Sequence, residues 1–194
     1  MSRLLLIVVS LSFMGAPEAQ ARVRGIVGQP APQLWAQSWR NLPKGQSSFD
    51  VKAQRGKVVY LYFFQSWCPG CHSRGFPTLQ AVRAHFAGRD EVVFAAVQTV
   101  FEGFSTNTEA RAWSTVAEFG LDIPVGHDPG PTGRRSATMG RYRSGGTPWI
   151  VIIDASGVVR FNGFHRRKEG AITLIQSLLP SAKPLMSLPR LSPQ

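Results

Sequence analysis

The chain has 194 residues, with 22 basic and 11 acidic side chains, a formal net charge of +11 and 43% hydrophobic residues. That length and composition suit a single domain with a proper core. The basic residues are scattered, with short clusters only at Arg134-Arg135 and Arg166-Arg167-Lys168. The charge therefore indicates no nucleic-acid module, though it permits peripheral contact with an anionic membrane surface.

Residues 1–21 read as a secretory signal peptide. Arg3 supplies the positive start, Leu4 to Met14 an apolar run broken only by serines, and Ala19-Gln20-Ala21 a small-x-small cleavage site. The run is shorter than the about 20 apolar residues of a membrane span. No cysteine lies near the cleavage site, which excludes a lipoprotein anchor. Whether the segment is cleaved or retained is left open. Export, with the periplasm as destination, is the expectation.

Arg22 to Asp50 is rich in Pro, Gln, Gly and Trp and reads as an extended segment over the domain edge, with Trp35 and Trp39 as anchors. Arg55-Gly56-Lys57 is a turn before Val58–Phe64, seven apolar residues that read as a strand buried on both faces. Gln65-Ser66-Trp67 then leads into Cys68-Pro69-Gly70-Cys71, which holds the only two cysteines of the chain. Helical spacing follows through Phe76, Leu79, Val82 and Phe86, so a helix is expected from Pro69 to Ala87, bent near Pro77.

A bridge across so short a loop removes little unfolded-state entropy and so has little structural use. Chemistry is the better reading. A cysteine at the start of a helix meets free N–H groups and the positive end of the helix dipole, which favour thiolate over thiol. Cys68, nearest that helix end, should therefore carry the lower pKa of the two.

Glu91–Val97 is expected to be a second buried strand, Thr108–Phe119 a helix, and Leu121–Val125 a short irregular strand. Gly126–Gly133 reads as a loop and Arg134–Arg141 as a short helix. Trp149–Ile153 is a third buried strand, joined through the turn Asp154-Ala155-Ser156-Gly157 to a returning strand over Val158–Phe164. Lys168–Leu179 is an amphipathic closing helix, and residues 180–194 form a proline-rich flexible tail. The order implies an α/β fold, a mixed central β-sheet with helices on both faces.

The strand, the sequence Trp67-Cys68-Pro69-Gly70-Cys71, the bent helix and a Gly146-Thr147-Pro148 about 80 residues later together resemble the thioredoxin fold. With export, the N-terminal extension and the segment before Pro148, the chain is most similar to the TlpA/ResA-like exported thiol-disulfide oxidoreductases. The likeness covers Pro32 to Leu179 and so places a thioredoxin-like domain within residues 22–179. It implies Cys68 as nucleophile, Cys71 as buried resolving thiol, Pro148 as a cis-proline beside the pair, and Trp67 and Thr147 as flanking substrate contacts. It implies no metal and no cofactor beyond a redox-active Cys68–Cys71 disulfide. Its partners would be protein or small-molecule disulfides and dithiols, with a membrane thiol carrier as electron donor and a reductase direction. For Trp67, simple core filling is an equal alternative.

The chain also departs from that pattern. Thioredoxins usually place a carboxylate six residues before the first cysteine, where this chain has Tyr62. The glutamate often found after the second cysteine in ResA-like proteins is absent from His72-Ser73-Arg74-Gly75. Glu102, Asp122 and His72 stand as candidates for the group that deprotonates Cys71. Two rival readings follow from the same residues. Cys68-Pro69-Gly70-Cys71-His72 matches the attachment sequence of a c-type haem, with Met139 as a second axial ligand. A Sco-like copper carrier would use Cys68, Cys71 and His127, although Sco-like proteins usually space their cysteines by three residues.

Overall fold

The computed structural model describes residues 25–131 and 134–179; the signal segment and the proline-rich tail lie outside the described residues. Among the described residues, six strands and four α-helices follow one another. They are β1 (Ser38–Arg40), β2 (Val58–Phe64), α1 (Phe76–His85), β3 (Val92–Thr99), α2 (Glu109–Glu118), β4 (Val125–Asp128), α3 (Ala137–Tyr142), β5 (Trp149–Ile153), β6 (Val159–Phe164) and α4 (Lys168–Leu178).

The strands form one sheet in the order β1-β4-β3-β2-β5-β6. β2 pairs parallel with β3 and antiparallel with β5, so it lies inside the sheet with a ladder on each side. Every β2 residue is buried, as its unbroken apolar run requires. Its two sets of side chains belong to different cores, because alternate residues of a strand point to opposite faces. Tyr60, Tyr62 and Phe64 pack with residues of α1, α2 and α4. Val59, Leu61 and Phe63 pack with Tyr142 of α3 and with Ile26, Leu34 and Phe49 of the N-terminal segment. The expected mixed sheet with helices on both faces is present.

The helix after the cysteines has two parts. Cys71–Gly75 winds more widely than an α-helix, and regular α-helix runs only from Phe76 to His85. Pro77 lacks the N–H that would bond the Ser73 carbonyl, and a wide turn absorbs the missing bond.

The fourth strand differs from expectation. It occupies Val125–Asp128 rather than Leu121–Val125, and so takes in three residues read as loop. Gly126, His127 and Asp128 have little strand propensity of their own. They are extended because β4 is paired on both sides, parallel with β3 and antiparallel with β1. Gly126 also lies under the N-terminal segment, where a Cβ would stand 3.0 Å from Ala36 and from the Trp39 ring. Trp39 stacks on Phe49 at 6.1 Å between centroids, so it anchors the segment as expected. α3 starts later than expected, at Ala137, because Ser136 caps it by accepting from the Met139 N–H.

Candidate active site

β2 ends at Phe64, and the chain turns through Gln65-Ser66-Trp67 to the cysteines. The Cys68 N–H donates to the Gln65 carbonyl at 3.1 Å and the Cys71 N–H to the Cys68 carbonyl at 3.0 Å. The Cys71 N–H also lies 3.3 Å from the Cys68 sulfur. Both cysteines are free thiols. Cys68 keeps 8% of its surface exposed and Cys71 none.

These surroundings push the two thiols in opposite directions. Cys68 is lowered to about 6, chiefly by a hydrogen bond from the Cys71 thiol. The Thr147 side chain and the N–H groups of Cys71 and Gly70 add to this, against the opposing effect of burial. Cys71 is raised far above the ordinary thiol range, first by burial and then by its bond to Cys68. The free N–H groups at the helix start do contribute, but the larger effect on Cys68 comes from its neighbouring thiol.

Pro148 closes one side of the pair. The Thr147–Pro148 peptide is cis, and the Cys68 thiol lies 3.7 Å from the Thr147 carbonyl. A Cβ on Gly70 would stand 3.5 Å from the Pro148 ring, and one on Gly75 2.9 Å from it. Pro148 therefore rests on the cysteine turn and on the wide turn after it. Trp67 is 45% exposed. Its indole lies beside Gly103, 3.4 Å from where a Cβ would be. Core filling is not its role.

At the sequence position where thioredoxins usually carry a buried carboxylate this chain has Tyr62, and its side chain reaches Cys71. Its hydroxyl donates to the Cys71 carbonyl at 3.4 Å and also reaches the Cys71 thiol. Burial, then the proximity of Cys71, raises the Tyr62 pKa, so the phenol is a neutral donor. The carboxylates considered from sequence are elsewhere. Glu102 is exposed and neither its side chain nor that of Asp122 hydrogen-bonds to a cysteine among the described residues. The Asp122 carbonyl accepts from Arg83 near the far end of α1, away from the cysteines. The His72 ring is committed to the Ser66 carbonyl, 2.7 Å from Nε2.

A buried polar lattice, not anticipated from sequence, holds the turn before Cys68. Gln98, at the end of β3, accepts from the Ser66 N–H at 3.2 Å and from the Ser66 hydroxyl. Its amide nitrogen donates to the carbonyls of Asn107 and Thr108 at 3.0 and 2.9 Å, and His127 Nδ1 lies 3.0 Å from the same nitrogen. The Gln65 side chain accepts from the Phe101 N–H and from Asn107, each at 3.3 Å. A glutamine closing the run Val92–Val97 was the available signal, since a polar side chain is rarely buried without partners.

The rival ligand sets are not assembled. His127 lies in β4, not in a loop, and is spent on Gln98. Among the described residues, no group of three or more His, Cys, Asp or Glu side chains is placed to hold a metal ion. For a haem, Cys71 is fully buried, His72 Nε2 is engaged and Met139 is 1% exposed inside the fold.

The Redoxin family model matches residues 26–174. The DipZ proteins of Mycobacterium bovis and Mycobacterium tuberculosis are each 32% identical over 157 residues, which is 78% of this chain but 21% of theirs. The chain thus spans about a fifth of those relatives. Among solved structures, a thiol-disulfide isomerase from Corynebacterium glutamicum is 31% identical, with TM-score 0.66 over 78% of this chain and 98% of that one. The thioredoxin-like superfamily protein SPOA0173 is 34% identical, with TM-score 0.71 over 80% and 99%. With the mixed sheet and the cysteine turn beside a cis-proline, these likenesses agree: the chain belongs to the Redoxin family, within the thioredoxin superfamily, and is similar to the TlpA/ResA-like thiol-disulfide oxidoreductases.

Proposed function

We propose that the Cys68-Pro69-Gly70-Cys71 pair carries the exchange and that it works as an exported reductase. The asymmetry of the two thiols is the observation that carries this reading: one is a stabilised thiolate near the surface and the other a buried thiol behind it. The Cys68 thiolate attacks one sulfur of a substrate disulfide, and the substrate's other sulfur leaves as a thiolate. The Cys71 thiol gives up its proton, which the leaving substrate thiolate can take, and attacks the Cys68 sulfur. The mixed disulfide breaks, the second substrate thiolate is released, and a Cys68–Cys71 disulfide remains. Two electrons have passed from the protein dithiol to the substrate.

Trp67, next to Cys68 in the chain, and Thr147 and Pro148, with the Thr147 carbonyl 3.7 Å from the Cys68 sulfur, would serve as the substrate contacts. The Tyr62 hydroxyl supplies the hydrogen bond that steadies Cys71 as it ionises. The N-terminal Arg3, apolar run and Ala19-Gln20-Ala21 support export to the periplasm. There a membrane thiol carrier would re-reduce the pair. Disulfide-bonded insulin is the assay substrate, and the reduced protein should reduce it at catalytic rates.

Two measurements separate the roles. The rate of iodoacetamide alkylation at Cys68 should rise with pH to a midpoint near 6, because the thiolate is the reacting form. Below that midpoint the rate should fall about tenfold per pH unit. Cys71 should stay unlabelled over the same range, and labelling of Cys71 first would reverse the assignment. Equilibration with glutathione buffers gives the direction of flow. A Cys68 pKa of about 6 lies between the about 7 of thioredoxin and the about 3.5 of DsbA. A stabilised thiolate favours the reduced form and raises the potential. The potential should therefore lie between about −270 mV for thioredoxin and about −120 mV for DsbA, toward the thioredoxin end. A value at the DsbA end would make the protein an oxidant.

A further inference from the structure

Beside Pro148, a cavity of about 500 Å3 opens between the helix that follows the cysteines and the start of α4. Its walls include Pro148 and Gly75 together with Arg74, Arg166, Arg167 and Lys168. Glu169 is the single acidic residue on its rim, and it stands 3.9 Å from Lys168. Arg74, Arg166 and Arg167 have no carboxylate partner among the described residues. The chain has basic residues to spare, but here they are gathered around a concavity rather than spread over a surface.

Two further features point the same way. The Arg166 guanidinium lies over the Phe161 ring at 4.8 Å, and its Nε is buried without a hydrogen-bond partner. Held over that ring, the guanidinium has no carboxylate among the described residues to neutralise it, so an anion entering the cavity would meet an unpaired positive charge. Arg166 also folds over the first turn of α4, with Nε 3.5 Å from where a Cβ on Gly170 would be. That helix end has no side-chain cap, and its free N–H groups favour an anion. The neighbouring His165 is held below its ordinary pKa by burial and then by the charge of Arg74, which reports the positive field of the cavity.

We propose that this cavity receives an acidic side chain of the disulfide-bonded polypeptide, close in sequence to the cysteine that bonds to Cys68. The inference rests on the thiol-exchange reading given above. Pro148 touches both the cysteine turn and the cavity, so the two sites share a wall. An extended chain advances about 3.3–3.6 Å per residue, so a residue a few positions from the reacting cysteine reaches the cavity. A concave site between two helices suits a side chain better than it suits the plane of a bilayer. The Arg guanidinium is also the donor best matched to a carboxylate.

The test compares two disulfide-bonded peptide pairs that differ only in carrying Glu or Gln at the positions flanking the reacting cysteine. The protein should reduce the Glu peptides with a KM roughly tenfold lower, the factor that about 1.4 kcal/mol provides. The preference should shrink as salt is raised. It should fall to near unity in Arg166→Gln/Arg167→Gln, and fall in part in the single variant Arg167→Gln, an exposed position whose change leaves folding intact. Equal KM values for both peptides in the parent protein would overturn the cavity proposal and leave the thiol chemistry standing. Failure to reduce either peptide would overturn both. Weakened binding of the double variant to phosphatidylglycerol vesicles, with peptide preference intact, would assign the cavity to a membrane surface and also overturn the proposal.

Discussion

Cys68→Ala is expected to reduce disulfide exchange to the uncatalysed background. No other residue can take the role. Cys71 is fully buried and its pKa is raised, so it is neither accessible nor ionised near neutral pH. With a pKa of about 6, Cys68 is about nine-tenths thiolate at pH 7, against a few per cent for an ordinary cysteine. The sign of the pH dependence follows. Activity limited by the attacking thiolate is present above the lowered pKa and lost as pH falls through about 6. The same shift adds stability to the reduced protein that is complete only above the ordinary cysteine pKa and is lost as pH falls through about 6. Cys71→Ala should behave differently: it loses the hydrogen bond that chiefly lowers Cys68, so the first attack slows near neutral pH, but the mixed disulfide accumulates because nothing resolves it. Insulin reduction measures the first variant, and non-reducing electrophoresis of trapped complexes the second. Full turnover in Cys68→Ala would remove the pair from the mechanism.

Gly75→Ala is expected to destabilise the domain and to disturb the site, although helix propensity alone favours alanine by about 1 kcal/mol. The backbone at Gly75 is ordinary helical, with φ −65°, so the requirement is space rather than conformation. A Cβ there would meet the Tyr62 hydroxyl, the Tyr62 ring at 2.8 Å and the Pro148 ring at 2.9 Å. Neither neighbour can give way cheaply. Tyr62 is fully buried and packs edge-on against Phe76 at 5.0 Å, and Pro148 has no side-chain torsion to turn. Overpacking of this kind costs about 1–3 kcal/mol, which outweighs the propensity gain over most of that range. A domain of this size loses roughly 2–4 °C of Tm for each kcal/mol. Because the displaced atoms are Tyr62 and Pro148, the Cys68 alkylation profile should shift as well. Adding Tyr62→Phe removes the nearest clashing atom, so the double variant should recover part of the lost Tm. A Gly75→Ala protein with unchanged Tm and alkylation profile would show that the close approach has no consequence.

Several features of this protein were legible in the sequence because they depend on local pattern. Val58–Phe64 and Trp149–Ile153 are continuous apolar runs, and strands buried on both faces require such runs wherever they sit. The cysteine turn was legible for the same reason, since a strand delivering two thiols to a helix start fixes which thiol faces the free N–H groups. The Thr147-Pro148 pair carried its meaning only through resemblance, because nothing in its own residues brings it against Cys68.

Tertiary structure decided the rest. Gly126-His127-Asp128 became a strand through pairing with β1 and β3, which overrode weak local propensity. Tyr62 read as the loss of a buried acid, yet its longer side chain brings a hydroxyl to Cys71 across the space Gly75 leaves empty. Gln98 and Asn107 are separated from Ser66 and Gln65 by 32 and 42 residues respectively, and only the β2–β3 pairing brings them under the cysteine turn. The wall shared by Pro148, Arg74 and Arg166 joins three distant segments of the chain. Sequence periodicity specifies which face of an element is buried. It does not specify which distant side chains meet across that face, because packing settles that only when the sheet is assembled.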